Sequence, residues 1–255
     1  MNHQDAPLLR IEHVSKAFDG IQALDDVSFT VGAGELVALI GPNGAGKTTC
    51  FNVINGQLKA DAGSVWLGAE RIDRLPPQRI ATAGVGRTFQ TAATFASMTA
   101  RENVQLALLA GAGEYSGLGQ RLADAHRSEA EALLARVGAG SLAEQVCASL
   151  SYPDVKRVEL AIALGSRNGA PRLLLMDEPT AGTAPRDRAS VMELVSALVR
   201  DSGVATLFTE HDVDVVFRFA ARVIVLDRGR IIADGPPASV RADPRVQAVY
   251  LGTAA

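Results

Sequence analysis

Two short stretches carry residue types suited to chemistry on phosphates. The first, GPNGAGKT (41–48), sets Gly41, Gly44 and Gly46 ahead of a lysine and a hydroxyl. Glycines at those spacings let the chain turn tightly enough for successive N–H groups to face one anion. In this pattern Lys47 reaches the β- and γ-phosphates of a nucleotide, and Thr48 offers its hydroxyl to Mg2+. The second stretch, RLLLMDEP (172–179), ends in two adjacent carboxylates, Asp177 and Glu178, about 130 residues downstream. A first acid so placed holds Mg2+ through water, and a second orients the water that attacks the terminal phosphate.

Both stretches need rigid elements to hold them. LVALI (36–40) reads as a buried strand delivering the glycine-rich loop, and a helix-like run from Gly46 to Gln57 follows. The positive end of that helix adds to the attraction for an anion. RLLLM (172–176) reads as a second buried strand whose four apolar residues (173–176) deliver the acids to its carboxyl end, where ligands sit in open α/β sheets. Side chains alternate along a strand, so the two carboxylates cannot both point into the core. Further strands are expected at 8–14, 27–31, 64–68, 204–209 and 222–227, and DRGR (227–230) is a turn that pairs RVIVL with RIIADG. Helical patterns occupy 186–200 and 211–220. Fully apolar strands alternating with helices predict an α/β fold, a mostly parallel sheet covered on both faces. The stretch 96–165 is Ala/Leu-rich with helical spacing, as in RSEAEALLARV, and reads as a helical insertion between core segments 1–95 and 166–255. Within it, ASLSYPDVKRVELAIAL (148–164) opens like a helix, with Ser151 and Asp154 spaced as a capping box and Pro153 in the first turn.

The chain has 255 residues, 47% hydrophobic and 21% charged, with a formal charge of −3. That balance argues against a nucleic-acid binder held by bulk electrostatics. No apolar run approaches the roughly 18–20 residues that span a bilayer. The opening MNHQDAPLLR lacks the basic and apolar regions of a signal peptide. Cys50 and Cys147 stand apart with no ligand cluster beside them and read as small buried thiols in a reducing compartment. The expectation is a cytosolic protein whose membrane role, if it has one, comes through a partner.

With these motifs in place, the chain resembles the ATP-binding cassette of ABC transporters over nearly its whole length. Phe18 in KAFDG lies where the family stacks an aromatic on adenine, and Gln90 in RTFQ matches the glutamine that touches Mg2+ and senses the membrane subunit. LSYPD (150–154) occupies the signature position, and His211 in FTEHD matches the histidine that contacts the γ-phosphate. The resemblance implies a single cassette over 1–255: a P-loop NTPase with a RecA-like, mostly parallel sheet, an N-terminal antiparallel β subdomain and an inserted helical subdomain. It implies ATP and Mg2+ as cofactors. Gly41, Pro42, Asn43, Gly44, Ala45, Gly46, Lys47, Thr48 and Thr49 would cradle the phosphates, and Thr48, Gln90 and Asp177 would surround the metal. Glu178 would polarise the attacking water, with Lys47, Gln90 and His211 completing the catalytic set.

FNVINGQLKADAGSVWLG, LPPQRIATAGVGRTFQ and ADPRVQAVYLG look like the ATPase subunits of branched-chain amino acid importers. By that resemblance the partners are a sister ATPase subunit (a different cassette or a second copy) and two integral-membrane permeases docking near 91–104. A periplasmic substrate-binding protein is an indirect partner and nucleic acid is none, which places the chain at the inner face of the membrane. Cassettes of this family pair head to tail, and each signature caps ATP held by the other subunit, so Ser151 would touch the partner's nucleotide. The usual LSGGQ is altered here. Tyr152 and Pro153 replace both glycines and Asp154 replaces glutamine, so one N–H donor is gone and a negative charge is added. In AGTAP (181–185), Ala184 stands where many cassettes carry an interface aspartate. These departures keep open a regulatory cassette that binds ATP with little hydrolysis. A soluble cassette of the DNA-repair or translation type is the other alternative, although this chain lacks their coiled-coil insertion or second cassette.

Overall fold

The computed structural model describes residues 7–88, 93–112, 124–165 and 171–250. The chain begins with β1 (Leu9–Phe18) and β2 (Ile21–Val31), an antiparallel hairpin in which Phe18 pairs with Ile21 across Asp19 and Gly20. Both turn residues have positive φ, +47° and +83°, the geometry that matches a two-residue loop to the twist of its strands. Then come β3 (Leu36–Ile40), α1 (Lys47–Ile54), β4 (Ala62–Leu67), β5 (Glu70–Arg71), α2 (Pro77–Thr82) and β6 (Val85–Thr88). Three helices follow, α3 (Ala100–Ala112), α4 (Arg127–Arg136) and α5 (Tyr152–Leu164). The chain returns as β7 (Leu173–Asp177), α6 (Pro185–Ser202), β8 (Ala205–Thr209), α7 (Val213–Phe219), β9 (Arg222–Asp227) and β10 (Arg230–Gly235), and closes with α8 (Pro237–Ala242) and α9 (Pro244–Tyr250).

Two sheets form. One is antiparallel in the order β2-β1-β4-β5; the other runs β10-β9-β3-β8-β7-β6 and is parallel except for the β9–β10 hairpin. Strand periodicity explains how the larger sheet divides the core. Val37, Leu39, Leu173, Leu175, Leu207, Ile224 and Leu226 face one side, where they pack with α1 and the antiparallel sheet. Ala38, Ile40, Leu174, Met176, Phe208, Val223 and Val225 face the other, among residues of α3 to α7. A sheet covered on both faces needs strands with no charged positions, and β3 and β8 are buried at every residue, Thr206 and Thr209 of β8 included.

α3, α4 and α5 lie in the chain between β6 and β7, which are neighbours in the sheet, so they form part of one long crossover. They pack on one another through Val104, Leu108, Ala130, Leu133, Leu134, Val158 and Leu164. Among the described residues no helix is long and apolar enough to cross a membrane.

Candidate active site

The glycine-rich loop leaves the carboxyl end of β3 and enters α1 through Gly46. Gly46 has φ +109°, and a Cβ there would strike the Ala23 carbonyl of β2, so the position admits only glycine. The loop is pinned from the far side by Gly229 N–H donating to Ala45 O at 3.0 Å and is closed by Ala45 N–H to Pro42 O at 3.1 Å. No side chain caps α1, and its first turn holds no acid. Its first intrahelical bond is Cys50 N–H to Gly46 O at 2.9 Å, so the helix offers no acceptor to the N–H groups of Lys47, Thr48 and Thr49. The end of α1 is therefore left open for an anion. Asn43, Gly44 and Thr48 are exposed there. Lys47 is buried and its ammonium donates to Gly41 O at 2.7 Å and Pro42 O at 3.1 Å. Burial lowers its pKa, while the charges of Glu178 and Asp177 act in the opposite direction.

Those acids stand at the end of β7, two strands from β3, a spacing of about 10 Å across the sheet. The strand between them, β8, ends at Thr209, whose hydroxyl donates to Asp177 Oδ1 at 2.7 Å. Glu178 N–H is shared between Thr209 Oγ1 at 3.1 Å and Thr209 O at 3.2 Å. That grip holds Glu178 at φ +51°, a left-handed conformation uncommon for a glutamate. It meets His211, with Nε2 and Oε1 2.7 Å apart. Beneath this pair lies the buried Glu210, which accepts from Thr180 N–H at 2.8 Å, Thr180 Oγ1 at 2.6 Å and His211 N–H at 3.2 Å. One carboxylate thus fixes both the turn after Glu178 and the residue that carries the histidine. Asp212 starts α7 by accepting from Asp214 N–H and Val215 N–H, and its bond to Arg188 keeps its pKa below the usual carboxylate value.

Thr48 and Asp177 present hard oxygens. Among the described residues no three His, Cys, Asp or Glu gather as a metal cage. This donor set fits Mg2+, which keeps most of its water and is held by one or two protein oxygens together with substrate phosphates. It does not fit a dedicated zinc or calcium site. Burial pushes the Cys50 thiol up to about 12 and raises that of Cys147, in keeping with inert packing.

Phe18 ends β1, whose partner strand β2 closes on Gly46; the residue is 42% exposed, with the Lys16 ammonium 5.4 Å from its ring centroid. Ser151 is the N-cap of α5. Its hydroxyl donates to Asp154 Oδ2 at 2.6 Å and receives Asp154 N–H at 3.4 Å, with Pro153 in the first turn. The Tyr152 ring packs over Gly182, where a Cβ would lie 2.5 Å from it. Gln90 lies outside the described residues, as does part of 91–104. Sequence reading missed Thr209, Glu210 and Arg87 as site supports. The signal for the first two was a threonine and a glutamate following the apolar residues Leu207 and Phe208, directly before His211. It also missed Tyr250 of α9, whose hydroxyl is pushed up by burial, with the Gly41 backbone partly offsetting.

Comparison with known proteins places this geometry. Residues 24–181 match the ABC transporter family, and residues 230–255 match a family described as branched-chain amino acid ATP-binding cassette transporter. The chain is 36% identical to the high-affinity branched-chain amino acid transport ATP-binding protein LivG of Salmonella typhimurium, over 97% of this chain and 99% of that one. It is 35% identical to BraF of Pseudomonas aeruginosa, a protein with the same description, over 97% and 99%. Its fold superposes on the ADP conformation of MJ1267, an ATP-binding cassette of an ABC transporter. The TM-score is 0.85 and the identity 32%, over 96% of this chain and 99% of that one.

Proposed function

The chain belongs to the ABC transporter family of ATP-binding cassette ATPases, and from that premise we propose that it powers an importer of branched-chain amino acids or related small polar solutes. The cargo class rests on LivG, BraF and the C-terminal match at 230–255. The mechanism rests on one observation above all: Lys47, the Thr209-held Asp177 and the Glu178–His211 pair gather at the carboxyl ends of neighbouring parallel strands.

In this reading the open end of α1 and Lys47 hold the phosphates of ATP, and Phe18 covers the adenine. Mg2+ would be held by Thr48, Asp177 and Gln90 and would supply neutralisation of the phosphate charge. Glu178 takes up the proton of the attacking water. His211, fixed by Glu210, holds Glu178 in place and meets the γ-phosphate. Catalysis is positioning and charge stabilisation, with no covalent intermediate. The cassette works head to tail with a sister subunit, whose ATP meets Ser151. The helical unit 96–165 carries that signature.

Docking of two permeases near 91–104 is supported by an apolar groove lined by Ala93, Phe95, Leu106, Leu109, Ala110 and Ile162, in which Phe95 is 62% exposed. Through those permeases the chain sits at the inner face of the membrane and serves a periplasmic binding protein.

Glu178→Gln tests the mechanism. Hydrolysis by the reconstituted transporter should fall about 10²–10⁴-fold, the usual contribution of a general base, while ATP binding persists. Wild-type turnover in that variant would remove Glu178 from the role.

A further inference from the structure

We propose that Arg87 is a positioning residue that sets the spacing between the two oxygens intended for Mg2+, an inference that rests on the ATPase reading above. Arg87 lies on β6, three residues before Gln90, in register with Leu175 of β7. Its side chain is only 8% exposed, and its guanidinium reaches two elements at once. One nitrogen donates to Asn52 Oδ1 at 2.6 Å and to Gln57 Oε1 at 3.2 Å, on α1 and just beyond it. The other stands 3.5 Å from Asp177 Oδ2, the oxygen opposite the one that Thr209 holds. The Phe51 ring packs on the same guanidinium, 5.7 Å from centroid to carbon.

Asn52 is four residues after Thr48, so the two share one face of α1. A single planar fork therefore joins the helix that carries the Thr48 hydroxyl to the strand that carries the Asp177 carboxylate. Burying a cation is costly, and burial works to lower the Arg87 pKa against the pull of Asp177. A cation kept there earns its place by geometry, because ion pairs at such depth add little net stability. Lysine could supply the charge without the fork: its ammonium is a point charge that cannot satisfy Asn52, Gln57 and Asp177 in one plane.

Binding of a fluorescent ATP analogue, titrated with Mg2+ and repeated in EDTA, tests this on the full chain. In Arg87→Ala the Mg2+ concentration for half-maximal tightening should rise about tenfold, while affinity in EDTA, set by the loop and Lys47, stays at the wild-type value. Arg87→Lys should fail to restore the Mg2+ midpoint. Asn52→Ala, which leaves the arginine in place and removes one of its anchors, should shift the midpoint by a smaller factor in the same direction. It also serves if the Arg87 variants do not fold by circular dichroism. The paramagnetic spectrum of bound Mn2+ should change in the same variants. An unchanged midpoint in a folded variant, or full rescue by lysine, would overturn the positioning role and leave the ATPase reading intact. Failure of the wild-type chain to bind the analogue with or without Mg2+ would overturn both.

Discussion

Two helix starts in this protein, α1 and α5, solve opposite problems. α1 begins at a left-handed glycine, has no capping side chain and no acid in its first turn, and so presents open N–H groups. α5 begins at a serine whose hydroxyl is engaged with Asp154, and it carries a proline and that acid in its first turn. Every device that makes α5 a stable helix start also spends a group that could bind an anion. A cap consumes a hydroxyl, proline removes a donor, and an acid near the positive end of the helix repels a phosphate. α1 leaves its end uncapped, and in the proposed function an incoming phosphate would satisfy it. In the proposed head-to-tail pair the two halves of an ATP site would therefore be unequally strong, and each helix start shows in its capping pattern which task it favours.

Gly46→Ala is the hardest blow to the open end of α1. It forces an L-residue to φ +109° and drives its Cβ into the Ala23 carbonyl, so the loop must move. We expect ATP affinity to fall by about a hundredfold or more, or the fold to lose roughly 2–4 kcal/mol, since a non-glycine at such a position is strained before the clash is counted. Calorimetric titration with ATP and urea unfolding separate the two effects. A variant that keeps both at wild-type values would show that the loop tolerates other geometries and that the open start of α1 does not depend on glycine.

Pro153→Gly restores one N–H to the start of α5. A hydrogen bond to a charged group is worth about 1.5–3 kcal/mol, so ATP held by the sister subunit should be closed upon and hydrolysed at least about tenfold faster. ATP on this chain's own loop should not respond. Single-turnover assays on the reconstituted pair, silencing one catalytic glutamate at a time, read the two sites apart. Equal acceleration of both would contradict the asymmetry.

The elements that carry the site were legible because they are apolar runs with abrupt ends. β3 and β9 match the strands read from sequence residue for residue, and β7 and β8 each start one residue later than read. β1 and β2 extend beyond the expected segments because their outer halves, such as Gln22 to Asp26, carry polar residues on an exposed face. β6 and α2 went unread. Four residues of VGRT and a six-residue helix give no periodicity to find, and their place is settled by pairing with β7 and packing of Ile80. Residues that would touch phosphate or metal sit in local motifs and were visible. Thr209, Glu210 and Arg87 were not, because each acts on a partner 30 to 90 positions away, across strands whose order β3-β8-β7-β6 is not written in any local pattern.

α6 supplies a third helix start and the smallest of the expected effects. Its N-cap, Ala184, has the extended backbone of a cap, φ −62° and ψ 146°, yet no side-chain oxygen to use. It is neither open for a ligand, since Pro185 follows it and Asp187 stands in the first turn, nor closed by a cap. Ala184→Asp would add the missing acceptor and place a charge at the positive end of the helix dipole. The nearby Asp187 opposes this, although Arg186, with Nε 3.8 Å from that carboxylate, screens part of the repulsion. The sum favours the aspartate by about 0.5–1 kcal/mol, which for a chain of this size raises Tm by roughly 1–4 °C. The measurement belongs on the isolated chain, because in the proposed pair the same aspartate would also stand at the interface and mix two effects. A fall in Tm would mean that repulsion from Asp187 outweighs the cap, and that the alanine is the better residue for this helix.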